Sequence, residues 1–169
     1  MPYFQIIMKD IKAIFDVLGS VTDPEIPVLT IMDMGIVREV NFQENGGPLE
    51  VVITPTYTGC PAMHTIEINI KAALQDYGID NVAVRTVLSP AWTTDWLTDE
   101  GKRKLKAYGI APPIGSADKN SLLGEETKVE CPQCGSMNTK MISQFGSTAC
   151  KSLFKCLDCL EPFDYFKCH

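Results

Sequence analysis

Two Cys-x-x-Cys pairs, Cys131-Pro-Gln-Cys134 and Cys156-Leu-Asp-Cys159, limit most sharply what this chain can fold into. Each pair sets two sulfurs on one tight turn, and two such turns facing each other supply the four thiolates of a closed tetrahedral Zn²⁺ site. The 21 residues between Cys134 and Cys156 slightly exceed the usual spacing for such sites but suffice for a hairpin. Residues 127–169 hold few large apolar side chains, so metal is expected to supply much of their stability, on the order of 10 kcal/mol for structural sites in general. The same thiolates would accept iron in a rubredoxin-like arrangement. Cys150 could replace one of the four; otherwise Cys150 and Cys168, the latter beside His169, are spare thiols.

The competing reading of six cysteines crowded into the last 39 positions is a disulfide framework in a secreted protein. Met1 to Met8 lacks the basic start, long apolar core and small-residue cleavage site of a signal peptide, and no apolar run approaches 18 residues. A cytoplasmic location is therefore expected, and metal comes ahead of disulfides. A length of 169 residues allows a small domain plus a module. The net charge of −6 disfavours nucleic acid or an anionic membrane as main partner, and Lys102 to Lys106 reads as a solvated helix face.

Ahead of the cysteine-rich tail the pattern is helix, strand, strand, helix, strand, helix. Ile7, Ile11, Ile14, Phe15 and Leu18 share a helical face that Gly19 ends, and Ile36–Phe42 and Leu49–Thr54 form a hairpin around a Gly-rich turn. Met63, Ile66, Ile70, Ala73, Leu74 and Tyr77 mark a second helix, and Asn81–Leu88 a third strand. Trp92 and Trp96 fit one helical face, as core or as the floor of a groove, before a helix from Thr98 to Gly109. These elements predict an α+β domain over 1–110, with a small mixed sheet of about three strands packed by helices. A Pro/Gly/Ser-bearing linker over 111–126 and a zinc-ribbon module over 127–169 follow.

Between the second strand and the second helix lies Thr54-Pro-Thr-Tyr-Thr-Gly-Cys-Pro-Ala-Met-His64. Pro61 suits a first helical position, which puts Cys60 at or next to the N-cap, where free N–H groups and the helix dipole favour thiolate. A lowered thiol pKa is therefore expected, opposed by any carboxylate nearby. The plain alternative is a small buried core cysteine. Asp23 and Glu25, in Asp23-Pro-Glu-Ile-Pro27, could bind a cation or orient that thiol, or Asp23 could cap a short turn with Pro24 in its first position. His64 sits one turn along the helix. Neither histidine has an obvious supporting acid and no Gly-rich phosphate loop occurs, so a thiol enzyme with Cys60 as nucleophile is the weakest reading and the chain is not expected to be an enzyme.

Asp23-Pro-Glu-Ile-Pro, Met34-Gly-Ile-Val, Thr54-Pro-Thr-Tyr-Thr-Gly-Cys-Pro and Gly109-Ile-Ala-Pro-Pro together resemble the SufT-like iron–sulfur assembly family. The tail, with Cys131-Pro-Gln-Cys-Gly, Phe145-Gly-Ser-Thr and Glu161-Pro-Phe-Asp-Tyr-Phe-Lys-Cys-His, is similar to the PaaD members of that family, from the bacterial phenylacetate pathway. The resemblance implies an accessory protein in iron–sulfur maturation, with the reductase component of phenylacetyl-CoA epoxidase as client. A non-catalytic structural subunit of the epoxidase complex is the alternative. It also implies a site of Cys60, Asp23, Glu25 and Thr58 through which iron or an iron–sulfur cluster passes transiently. Structural Zn²⁺ on Cys131, Cys134, Cys156 and Cys159 goes with it, and a homo-oligomer is compatible.

Overall fold

The computed structural model describes residues 11–43, 46–114 and 128–167. The chain divides into two compact units, Met1–Ala91 and Trp92–His169.

In the first unit, helix α1 (Ile11–Leu18) buries Ile14 and Leu18, and the Gly19 N–H bonds the Phe15 carbonyl at 2.8 Å to end it. Ile11 stays half exposed, and Ile7 lies outside the described residues. The loop that follows is closed by an antiparallel bridge between Thr22 and Thr30. Thr30 and Asp33 then satisfy each other reciprocally: the Asp33 carboxylate accepts from the Thr30 N–H at 2.9 Å, and the Thr30 hydroxyl from the Asp33 N–H at 3.0 Å. Strands β1 (Val37–Phe42) and β2 (Leu49–Ile53) form the expected hairpin, with a bulge between Val37 and Glu39. Helix α2 (Ala62–Asp76) crosses back so that β3 (Val82–Thr86) pairs parallel to β2, from Leu49 against Val82 to Ile53 against Thr86.

Period decides the faces. Leu49, Val51 and Ile53 alternate onto one buried face of β2. On the opposite face Glu50 accepts from Arg85 at 2.9 Å and from Asn41 at 3.2 Å, tying all three strands together. The Arg85 hydrogen bonds hold the Glu50 carboxyl below its usual range. Along α2 the buried set is Ala62, Ile66, Ile70 and Leu74, one residue per turn. Tyr77, expected on this face, is half exposed because it caps the helix C-terminus, where the chain turns away at Gly78 with φ 99°.

The second unit begins at Trp92, earlier than the expected boundary at residue 110. Residues 94–96 form a 3₁₀ turn, so the four-residue spacing of Trp92 and Trp96 does not set them on one α-helical face. Trp92 is core: its ring meets that of Phe166 edge-on, with centroids 6.0 Å apart. Helix α3 (Asp99–Tyr108) is capped by the Thr98 hydroxyl, which accepts from the Gly101 N–H at 3.0 Å, and ends at left-handed Gly109, φ 91°. Strands β4 (Thr139–Ser143), β5 (Lys151–Cys156) and β6 (Pro162–Phe166) form an antiparallel sheet in that order.

Residues 92–111 join this sheet through backbone pairing. The Ala111 N–H bonds the Asp164 carbonyl at 2.8 Å, and the Phe166 N–H bonds the Ala111 carbonyl at 2.9 Å. Ala111, the first residue of the expected linker, is thus part of the ribbon, and from residue 115 that linker lies outside the described residues. Thr98→Ala is expected to lower the stability of this unit by about 1 kcal/mol through loss of the cap. Urea unfolding followed by tryptophan emission checks this, since the chain's 2 tryptophans, Trp92 and Trp96, both lie here. No helix among the described residues is long and apolar enough to cross a membrane.

Candidate functional site

The β4–β5 hairpin returns the second Cys-x-x-Cys turn to the first. The Sγ atoms of Cys131, Cys134, Cys156 and Cys159 all lie within 4.8 Å of one another, with Cys131–Cys159 at 3.7 Å and Cys134–Cys156 at 3.6 Å. A zinc ion about 2.3 Å from each of four tetrahedral sulfurs spaces them about 3.8 Å apart. The residues therefore fit structural Zn²⁺, which would close this set and leave no open position for substrate.

The local chain geometry explains why these turns form. In the first, the Gly135 N–H bonds the Cys131 carbonyl at 2.9 Å and Gly135 adopts φ 74°. In the second, the Cys159 N–H approaches the Cys156 sulfur at 3.5 Å, and Leu160 occupies the matching left-handed position at φ 66°. The Asp158 carboxylate accepts from the Ser136 hydroxyl and, at 2.7 Å, from the Asn138 amide, joining one turn to the other. Backbone N–H donation, above all from Cys159, draws Cys156 down to about 7. The Glu161 N–H favours thiolate at Cys159, yet desolvation and the neighbouring sulfurs push it up to about 12. Four sulfurs this close cannot all ionise alone, and one divalent cation removes that conflict.

Cys150 does not replace any of the four. It is buried apart from them, with its sulfur 3.1 Å from the Thr148 hydroxyl. Cys168 and His169 lie outside the described residues.

Cys60 lies at the end of a tight turn in the first unit. Its N–H bonds the Tyr57 carbonyl at 3.2 Å, with exposed Thr58 and then Gly59, φ 83°, at the corners. The positive φ at the third position is what a type II turn requires, and glycine takes it without penalty. Pro61 is already helical in φ and ψ (−68° and −23°), and α2 proper starts one residue later, at Ala62. Cys60 is half-buried.

The expected lowering of the Cys60 pKa is overturned. Burial pushes the thiol up, and the carboxylates of Glu25 and then Asp23 add to the rise. The Ala62 N–H, the helix-end donor foreseen from sequence, and a hydrogen bond with the Tyr57 side chain favour thiolate but do not prevail. Tyr57 was not singled out from sequence; its place three residues before Cys60, across a Gly-containing turn, was the available signal. Asp23 caps its own turn, Oδ1 accepting from the Glu25 and Ile26 N–H groups at 2.8 Å each. Its charge and that of Glu25 nevertheless reach Cys60. His64 is exposed on the first turn of α2. Among the described residues, the one group of three or more metal-binding side chains with converging ligand atoms is the ribbon's four cysteines.

A pH profile tests this electrostatic picture. Cys60 alkylation, followed by peptide mass spectrometry, is expected to reach half its maximal rate above the pH of an ordinary thiol. Glu25→Gln should move that midpoint down, because removing a nearby negative charge relieves the thiolate. Asp23→Asn should move it less while keeping the cap, since asparagine caps as well as aspartate. An unchanged profile in Glu25→Gln would show that burial alone sets the thiol.

Two families match the chain in sequence. Residues 11–88 match the iron–sulfur cluster assembly protein family, and residues 115–167 match the PaaD zinc beta ribbon domain. The chain is 47% identical over 158 residues to a putative component of the 1,2-phenylacetyl-CoA epoxidase of Escherichia coli K12, covering 94% of this chain and 93% of that protein. It is 33% identical over 90 residues to the Fe-S protein maturation auxiliary factor YitW of Bacillus subtilis, covering 53% of this chain and 86% of the relative. Among solved structures, a domain of unknown function, DUF59, from Bacillus anthracis is similar at a TM-score of 0.51 and 26% identity, over 55% of this chain and 88% of that one.

Proposed function

We propose, from the premise that this chain belongs to the PaaD family, that it is an accessory protein in the maturation of an iron–sulfur client, the reductase component of phenylacetyl-CoA epoxidase. In this reading the first unit receives or transfers iron, or an iron–sulfur cluster, at Cys60 with Asp23, Glu25 and Thr58, and the zinc ribbon is structural. The observation that carries it is the placement of Cys60, half-buried at a helix start, with two carboxylates near enough to raise its pKa, inside the segment matched to iron–sulfur assembly. Such surroundings disfavour a bare thiolate and favour a thiolate accompanied by a cation, because the cation neutralises the charges that repel each other. Iron is cargo in this scheme and no bond of an organic substrate is broken.

The name of the Escherichia coli relative, which makes it one of the epoxidase subunits, supports a second reading, a non-catalytic structural subunit of the epoxidase complex. Stoichiometry separates the two: a subunit co-purifies in fixed ratio with active oxygenase, whereas an assembly factor acts substoichiometrically and leaves. Deleting the protein and measuring iron in the isolated reductase is the direct test. An iron-poor reductase supports maturation. A reductase with its full iron beside a disrupted complex supports the structural role.

A further inference from the structure

We propose that the end of the ribbon formed by its two cysteine turns is the surface on which the client docks. The client would meet it with an apolar hollow rimmed by lysine and arginine. The inference rests on the client reading above and adds to it the docking surface and the chemistry of its counterpart.

The first argument is the Leu160 backbone. The residue following each Cys-x-x-Cys is left-handed, Gly135 at φ 74° and Leu160 at φ 66°, so the two turns share one geometry with different occupants. For a residue with a Cβ this conformation is unfavourable, and for a bulky side chain it is an outlier. Glycine would remove that cost, yet leucine is present with 63% of its surface exposed, so packing within the ribbon does not repay the strain. Strain kept where it serves no internal contact points to an external one.

Two further apolar side chains stand at the same end. Leu157 is 47% exposed and Met137 50% exposed. The Leu157 N–H bonds the Asn138 carbonyl at 2.8 Å, which puts these two residues on neighbouring stretches of chain. Charge then indicates the partner. Residues 131–139 and 156–161 contain Asp158 and Glu161 and no lysine or arginine; Lys140 and Lys155 lie just beyond, on the strands, and Lys106, which comes near the first turn, is neutralised there by Glu130 at 2.9 Å. With zinc bound, the four thiolates leave a further net charge of −2 at this end, since 2 − 4 = −2. An apolar tip in an acidic setting selects an apolar hollow with a basic rim.

The test measures binding of the purified reductase component to the full zinc-loaded chain. Leu160→Gly is expected to keep its zinc and melt at the same or a higher temperature, while its affinity for the reductase falls roughly tenfold or more. Leu157→Ala, away from the strained position, should also weaken binding, and it decides the matter if Leu160→Gly loses zinc. Glu161→Gln should weaken binding by about two- to threefold at low salt and reduce its salt dependence. Wild-type affinity in both leucine variants would overturn this surface and leave the client reading standing. A wild-type chain that does not bind the reductase would overturn both. Self-association of the chain that disappears in Leu160→Gly would assign the surface to a second copy and overturn the proposal as well.

Discussion

Serine at Cys134 or Cys156 is expected to release the zinc and unfold the ribbon, while the first unit keeps its helices and sheet. The reason is that the metal ligands are also part of the core between the strands. One buried cluster there joins Ala111, Val129, Cys131, Phe154, Cys156 and Phe163, and two of these six are themselves thiol ligands. Without metal the two sulfur turns lose what holds them together, and structural zinc supplies roughly 10–16 kcal/mol of apparent binding energy that is also folding energy. A serine hydroxyl stays protonated and is a hard, weak donor, so a three-thiolate site with an alcohol loses most of that contribution.

Elemental analysis reads the metal directly. Tryptophan emission reads the fold, because Trp92 packs on Phe166 in the ribbon unit and should become solvated when the sheet is lost. Cys150→Ser should retain the metal, its thiol being apart from the set. A full zinc complement in Cys134→Ser or Cys156→Ser would overturn the assignment of ligands, and iron in the wild-type site would change the metal without changing the ligands.

Cys60→Ser is expected to abolish client maturation with the fold intact. The substitution changes side-chain volume little at a half-buried turn, so the Tyr57–Cys60 backbone bond and the start of α2 should persist. The soft ligand and the nucleophile are both removed, and no other thiol of the first unit can substitute, since the remaining six cysteines begin at Cys131. Complementation of a deletion strain, with reductase iron as readout and the far-ultraviolet circular dichroism and melting of the purified variant as folding control, should give an iron-poor reductase and a variant that folds like the wild type. A reductase with full iron would reduce Cys60 to a packing role and move the structural-subunit reading to first place.

Local chemistry was legible in the sequence wherever a few neighbouring residues suffice. The Cys-x-x-Cys turns, the Thr98 start and Gly109 stop of a helix, and the Asp23 turn each depend on residues within about five positions. The β1–β2 hairpin and the buried stripe of α2 follow from period, which the chain carries in its order of side chains. The six-element order of the first 110 residues, an α+β fold with a three-stranded sheet, and the four-thiol cluster were legible for the same reason.

What only the tertiary structure decided involves contacts distant in sequence. Residues 92–111 contain a well-formed helix that could pack against either neighbour, and their grouping with the ribbon follows from backbone pairing of Ala111 with a strand more than 50 residues later. The Cys60 pKa turned on the same principle: the donors that favour thiolate are local, while the burial that prevails arises only in the fold and the carboxylates that add to it come from a loop some 35 residues upstream. Leu160 is the limiting case. The left-handed position after the second Cys-x-x-Cys belongs to the turn itself, as Gly135 after the first pair shows, but that a leucine takes it with its side chain exposed is seen only in the structure. Side-chain chemistry and period are written in the order of residues, whereas burial and electrostatic environment arise only when distant parts of the chain are brought together.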